Sequence, residues 1–354
     1  MRKKIKIDKS PAQPTLFDLI DQNEESAMSV HPSIMDFVVK TRTNSGGDSG
    51  NKRREADSPV DPMPESVATE SLLFLSFGSG SSGNCAYIGT RREGILIDAG
   101  VDPRKVEEAM LANGLMSDCV KGVCLTHDHS DHVRYVYQFV RLKKNVGVYC
   151  TPKVLSGLLR RHSISRRIKD YHHPVYKEFP FKLAGMTVTP FDVRHDGTDN
   201  VGFFVERGEH TFAIATDLGS ITDRVDYYMK QARYIVIEAN YDAQMLRNGP
   251  YSAFLKSRIA AANGHLDNVE TAQFVTELAR EGKLEYVFLC HLSRENNQPE
   301  LALSTVSDAL NSAGLGPVGD CSGSLETVGA PLQMMALPRF TPSPLMVFRG
   351  KKDQ

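Results

Sequence analysis

Short apolar runs alternate along this chain with segments whose apolar positions recur every three or four residues. Residues 72–77, 95–97, 120–125, 186–191, 202–205, 211–215, 234–237 and 286–290 are runs of the first kind. Their length and their Val, Ile and Phe content read as strands buried on both faces. Tyr87-Ile88 and 95–97 form a hairpin on this pattern, and Gly208 sits in the turn between two later strands. Helical spacing follows in between. A helix opens at Asp102-Pro103, with Asp as cap and Pro in the first turn, and stops at Gly114. A second carries Val133, Tyr135, Val136, Phe139, Val140 and Leu142 on one side, and a third lies within 151–170 on Val154, Leu155, Leu158 and Leu159. Two more span 267–280, where Asp267 and Glu270 make a capping pair, and 299–313, closed by Gly314. Residues 345–348 read as one edge strand in a Pro-rich end. The pattern predicts an α/β (α+β) fold, with sheets meeting helices in alternation.

Residues 1–70 break the pattern. The stretch 44–54 is polar and Gly-rich, and Pro59, Pro62 and Pro64 follow it. Such a segment buries too little apolar surface to offset its chain entropy, so a disordered extension over 1–70 is expected, followed by a folded domain over 71–354. Two apolar islands, 16–20 and 34–39, interrupt it, each long enough for a turn or two of helix, and read either as residual hydrophobicity in a tail or as partner-binding peptides.

Composition narrows the class. Hydrophobic residues make up 41% and charged residues 24%, an ordinary globular balance. The net charge of −1 excludes a uniformly basic nucleic-acid binder, so any attraction for phosphates must be local. The local candidate is the basic piece at 151–170, with Lys153, Arg160, Arg161, His162, Arg166, Arg167 and Lys169. Six scattered cysteines, several in apolar runs, read as buried thiols of a reduced compartment. No stretch approaches the ~20 apolar residues of a membrane helix. A cytoplasmic protein is expected.

The chemistry concentrates in Thr126-His127-Asp128-His129-Ser130-Asp131-His132, on the turn between the strand at 120–125 and the helix after it. Open α/β sheets put ligands at such strand ends. His127 and His129 are two apart and can face one side of an extended loop, while Asp131 and His132 face a neighbouring point. The ligand types and spacing suit two metal ions side by side. A closed structural zinc site would use thiolates, and no C-x-x-C pair exists here. The Gly/Ser loop at 79–84 lacks the Gly-Lys-[Ser/Thr] ending of a nucleotide cradle and reads as a tight turn near the metals.

His-x-His-x-Asp-His is the signature that this chain shares with the metallo-β-lactamase fold. Ser79-Gly80-Ser81-Ser82-Gly83-Asn84, Leu96-Ile97-Asp98-Ala99-Gly100, Gly264-His265-Leu266-Asp267-Asn268 and His291-Leu292-Ser293-Arg294-Glu295-Asn296-Asn297 resemble the WalJ/YycJ branch of that superfamily, over roughly residues 72 to 310. The resemblance implies an αββα sandwich of two mixed sheets with outer helices. It implies His195, Asp217 and His291 as further metal ligands: His127, His129 and His195 on one ion, Asp131, His132 and His291 on the other, and Asp217 bridging. It also implies a dinuclear site in which two divalent ions (Zn, Mn or Fe) hold a hydroxide, and exonuclease activity on DNA from the 5′ end. Asp98 is placed to orient a metal-bound His. His265, at a helix start, reads as a helix-cap donor, a donor to a phosphate oxygen, or an acid for the leaving alkoxide, which would make it catalytic together with Asp131. The chain departs from the branch at Tyr241, where His is usual, and at Asp267, where Ser is usual.

A small-molecule thioester or lactone hydrolase on the same fold, and a tail-recruited DNA-maintenance scaffold with weak activity, are the competing functions. The interval from Asp217 to His291 leaves no room for the large inserted domain of β-CASP nucleases. Gln13-Pro14-Thr15-Leu16-Phe17 resembles the Q-x-x-L-F peptide with which bacterial proteins dock on the replication sliding clamp. Gln13 would be the polar anchor, and Leu16 and Phe17 the apolar pair. His31, His172, His173 and His210 are expected to be structural or on the surface.

Overall fold

The computed structural model describes residues 71–143, 145–323 and 330–350. Expectations that fall on residues 1–70, including the extension, its two apolar islands, His31 and the Gln13/Leu16/Phe17 peptide, lie outside the described residues.

The chain begins with β1 (Leu72–Gly78), β2 (Cys85–Gly89) and β3 (Gly94–Ile97), a meander of antiparallel neighbours. Helix α1 (Pro103–Ala112) then crosses over to β4 (Val120–Cys124), which lies parallel to β3. As expected, the Asp102 side chain caps α1, accepting from the Arg104 N–H. Two short helices, α2 (Ser130–Val133) and α3 (Val136–Leu142), lead to β5 (Gly147–Cys150). Helix α4 (Pro152–Arg161) leads to β6 (His172–Pro174). The sequence pattern predicts one helix after β4. The observed helix breaks at Tyr135, whose φ and ψ of −110° and 5° are not helical. Its Tyr135 N–H bonds the Ala99 carbonyl 2.9 Å away rather than continuing the turn. The basic piece at 151–170 is also divided. The α-helix stops at extended His162, and only a short 3₁₀ turn follows at Arg166–Tyr171.

The second half opens with β7 (Phe181–Leu183), β8 (Met186–Asp192), β9 (Val201–Arg207) and β10 (His210–Ala215), another antiparallel meander. Helix α5 (Asp223–Met229) returns the chain to β11 (Tyr234–Glu238), parallel to β10. Helices α6 (Ala243–Asn248), α7 (Ala253–Ile259) and α8 (Asn268–Arg280) precede β12 (Tyr286–Cys290). After α9 (Pro299–Ser312) come β13 (Val318–Asp320), β14 (Leu332–Ala336) and β15 (Met346–Phe348).

One sheet runs in the order β15-β1-β2-β3-β4-β5-β6 and the other β13-β14-β12-β11-β10-β9-β8-β7. Period-two alternation explains their packing. In β1, Leu72 and Phe74 face the other sheet, while Leu73, Leu75 and Phe77 face the helical layer of α1, α3 and α4. In β11, Tyr234 and Val236 face the first sheet, while Ile235 and Ile237 pack beneath α5, α8 and α9. Three apolar layers thus separate helix, sheet, sheet and helix, the αββα sandwich. This explains why the strands read as unbroken apolar runs. The free thiols of Cys85, Cys119, Cys124, Cys150, Cys290 and Cys321 are all buried in or beside these layers.

Topology places the chemistry. β3 and β4 are parallel in one sheet. β10, β11 and β12 are parallel in the other, and β8 runs the same way because both it and β10 are antiparallel to β9. The C-terminal ends of these strands open onto one edge of the sandwich, the usual ligand edge of such sheets.

Candidate metal centre

Each predicted ligand leaves one of those strand ends. The loop after β4 carries His127, His129, Asp131 and His132; His195 follows β8, Asp217 follows β10 and His291 follows β12. All seven are buried. The structure brings them together in two groups. One comprises His127, His129, His195 and Asp217; the other comprises Asp131, His132, Asp217 and His291; within each group the ligand atoms lie within 4.8 Å of one another. Asp217 belongs to both. Its Oδ2 is 3.0 Å from His127 Nε2, 3.0 Å from His132 Nε2 and 3.7 Å from His195 Nε2. Its Oδ1 is 2.9 Å from His291 Nδ1. His129 turns Nδ1 toward His127 Nε2 (3.0 Å) and His195 Nε2 (3.3 Å). Asp131 Oδ2 lies 3.4 Å from His132 Nε2 and 3.5 Å from His291 Nε2.

The electrostatics fit cations. Both Asp217 oxygens and Asp131 Oδ1 are buried without a hydrogen-bond donor in suitable geometry. Desolvating carboxylates in this way is costly unless a positive charge compensates. Burial works to raise the Asp217 carboxyl, but His291 and His132 hold it well below the usual range. Burial pushes His129 well below its ordinary value, and His127 and His195 push the same way. Burial also takes His195 down to about 4. Both shifts favour the neutral ring, the form whose lone pair a metal takes up. With a donor set of imidazoles and carboxylates, the residues present fit divalent metal ions.

Supporting contacts fix the ligands. Asp98, buried at the end of β3, places Oδ2 2.7 Å from His132 Nδ1. The same carboxylate accepts from the Thr126 N–H (2.8 Å) and hydroxyl. Asp98 has a φ of 62° and His291 a φ of 54°. Left-handed backbone at non-glycine residues costs on the order of 1–2 kcal/mol each, and such strain clusters at functional sites. His291 is held there by the Ser79 hydroxyl on its N–H and by Asn240 Nδ2 donating to its carbonyl. Asn84, from the Gly/Ser loop, donates to Asp131 Oδ2 at 3.0 Å. Gly100 lets that loop close, because a Cβ there would lie 1.6 Å from the Asp131 carbonyl oxygen.

Sequence reasoning missed Glu238. This carboxylate ends β11 fully buried and joins two histidines, 2.7 Å from His265 Nδ1 and 2.8 Å from His291 Nδ1. It also accepts from the Leu218 N–H at 2.7 Å. Burial works to raise its pKa, yet His265 and His291 hold it below the ordinary value. The available signal was a charge closing the apolar run Tyr234–Ile237, one residue short of the level at which Asp217 follows the parallel β10. His265 is buried beside the ligands, its ring centre 5.1 Å from that of His195 and 5.3 Å from that of His291. Asp196 was also missed: Oδ1 lies 3.3 Å from His129 Nε2, and Oδ2 lies 2.5 Å from Arg258. Asp128 faces away from the ligands and accepts from the Thr198 N–H (2.8 Å) and hydroxyl (2.6 Å).

The basic piece borders this edge at one end. Arg160 donates to the Thr198 hydroxyl, and His162 Nε2 lies 2.7 Å from the Asp128 carbonyl oxygen. Lys153, Arg160, Arg161, Arg166, Arg167 and Lys169 are exposed. Tyr241 and Asp267, the two departures, pair through an isolated β-bridge, with Tyr241 buried in a small satellite core. His210 is buried against the Tyr234 hydroxyl, and His172 reaches the Cys150 carbonyl.

A family profile described as Beta-lactamase superfamily domain matches residues 93–291. The exodeoxyribonuclease YycJ of Bacillus anthracis is 31% identical over 246 residues, 69% of this chain and 91% of its own length. The exodeoxyribonuclease WalJ of Streptococcus pneumoniae is 30% identical over 69% of this chain and 90% of its own length. The chain belongs to the metallo-β-lactamase superfamily, in its YycJ/WalJ branch. Solved structures show the same fold for this superfamily member. The metallo-β-lactamase fold protein YhfI of Bacillus subtilis has a TM-score of 0.55 at 12% identity, covering 78% of this chain and 99% of its own. Zn(2+)-bound PqqB of Methylobacterium extorquens has a TM-score of 0.55 at 14% identity, covering 77% and 99%. The fold is that of a metal-dependent hydrolase family, and it implies divalent metal ions as cofactors. No helix among the described residues is long and apolar enough to cross a membrane.

Proposed function

We propose that this chain is a dinuclear metal-dependent phosphodiesterase that degrades DNA from the 5′ end. The observation that carries the reading is the pair of ligand groups sharing Asp217, with the Glu238–His265 pair beside them. The names of the YycJ and WalJ relatives support DNA as the substrate.

His127, His129 and His195 would hold one cation, Asp131, His132 and His291 the other, with Asp217 between them. Zinc, manganese and iron all suit imidazole and carboxylate donors. Bound there, two cations supply Lewis-acid polarisation of a phosphoryl oxygen and a water acidified toward neutrality. The protein's own groups do the rest. Asp98 holds His132 in one orientation and one tautomer. Glu238 holds His265 by Nδ1, leaving the proton on Nε2 to be given to a leaving alkoxide. The exposed cations of α4 and the turn after it attract the phosphate backbone without reading sequence.

The test is cleavage by full-length protein, supplied with Mn²⁺ or Zn²⁺, of single- and double-stranded DNA labelled at either end. Release of the 5′ label first, abolished by chelator and slowed steeply by salt, is expected. Efficient thioester or lactone turnover without cleavage of any DNA would replace this reading with the small-molecule one.

We extend the reading to recruitment. The Gln13/Leu16/Phe17 peptide is proposed to dock on the sliding clamp, its polar surroundings acting as a tether that raises the enzyme's concentration at DNA. A peptide of residues 1–30 should bind the clamp of the same organism weakly, because ordering it offsets part of the contact energy. Binding that survives Leu16→Ala with Phe17→Ala would show the match to be accidental.

A further inference from the structure

Between Glu238 and His265 the chain leaves the site and returns, and the excursion is the α6–α7 hairpin. It is tied down at both ends. The Asn240 N–H bonds the Leu266 carbonyl, the Asp242 N–H bonds the Asn296 carbonyl, and the His265 N–H bonds the Ile259 carbonyl. It has a small core of its own, in which Tyr251 and Leu255 pack on Tyr241, Leu246 and Ile259. This is therefore a fixed projection at the rim of the metal centre.

Its two helices carry Arg247, Lys256 and Arg258 and no carboxylate, Asp242 capping the first of them. On this basic element Phe254 is 71% exposed. A lone exposed apolar side chain is ordinary on a protein surface. What distinguishes Phe254 is its position. It lies four residues before Arg258 on α7, so the two share a face about 5–6 Å apart. Arg258 reaches Asp196 Oδ2 at 2.5 Å, and Asp196 Oδ1 lies 3.3 Å from His129 Nε2 and 3.4 Å from His195 Nε2. One helical turn therefore separates an exposed aromatic ring from the arginine that anchors α7 to Asp196, the carboxylate beside the ligand cluster.

We infer that Phe254 is a stacking platform for a base of the DNA strand being degraded, near its 5′ end. This rests on the phosphodiesterase reading and specifies how the strand is held. The hairpin grips an unpaired end: Arg247 and Lys256 provide charge complementary to the backbone, Arg258 ties α7 to Asp196, and Phe254 takes the face of a base. Stacking of this kind ignores sequence, because every base has a π-face. In a duplex that face is covered by neighbouring bases, so the platform selects frayed or single-stranded ends.

The experiment compares binding of a nuclease-resistant phosphorothioate single strand, intact or with abasic nucleotides near its 5′ end, by metal-loaded full-length protein. Phe254→Ala should weaken binding of the intact strand about tenfold. It should cost little on the abasic strand, where the stacking partner is already missing, and Phe254→Trp should restore affinity. Because Phe254 is exposed, an unchanged melting temperature will show that the variant is folded. Equal affinities of Phe254→Ala and wild type, or an equal loss on both strands, would overturn the stacking role and leave the phosphodiesterase reading standing. Failure of the wild-type protein to bind the intact strand would overturn both.

Discussion

Replacing Asp217 with Ala should strip most of the metal from this protein and abolish its hydrolytic activity. The geometry sets the size of the effect. Removing a group that only supports a metal ligand typically costs about 10–100-fold in affinity or activity, and Asp98, which holds His132 from behind, belongs to that class. Asp217 presents one oxygen to His127 and His132 and the other to His291, so it alone serves both groups. Its loss should cost well over a hundredfold where Asp98→Ala costs less. Elemental analysis after metal-supplemented purification provides the check: more than one equivalent per chain in wild type and a small fraction in the variant. Melting temperature provides a second readout. A cation that binds only the folded state stabilises it by mass action, so a chelator should lower the wild-type value and leave that of Asp217→Ala unmoved. Near-zero metal in the wild type after supplementation would sink the dinuclear reading.

What made such a site visible in the sequence is locality. The cluster at 126–132 packs its donors into a few positions, and β4 before it is a plain apolar run. His195, Asp217 and His291 were placed only by resemblance, because nothing in their spacing relates β8, β10 and β12. The structure relates them through the common direction of those strands. Glu238 shows the limit from the other side. Its partner His265 is 27 positions away and reaches it only because the α6–α7 excursion closes on itself. Periodicity also misjudged continuity. The apolar spacing from 133 to 142 is helical throughout, yet the Tyr135 N–H is committed to Ala99, and that tertiary bond breaks the helix. β14 lay hidden in the Pro-rich end because Leu332–Ala336 contains no β-branched residue. It is a strand because β12 and β13 flank it.

Replacing His265 with Ala should separate natural DNA from activated substrates. Glu238 is fully buried and holds His265 Nδ1 at 2.7 Å, which fixes the ring and directs Nε2 outward from that contact. General acid catalysis contributes roughly 10²–10⁴-fold where the leaving group needs a proton. The alkoxide leaving from a DNA phosphodiester needs one; the phenolate of a nitrophenyl diester does not. His265→Ala should therefore lose on the order of a hundredfold or more on DNA and little on the nitrophenyl diester, with its metal content intact. Glu238→Gln should lose in the same order of substrates, since the amide keeps the shape but no longer stabilises the charged ring. It should also loosen metal, because Glu238 touches His291 at 2.8 Å as well. Equal losses on both substrates would make His265 a phosphate-positioning donor, for both diesters present the same nonbridging oxygens. No loss on either would reduce it to a structural partner of Glu238 at the start of α8. The ratio of the two losses decides among these roles, and a fall in kcat on DNA without a matching rise in KM would place the effect in the chemical step.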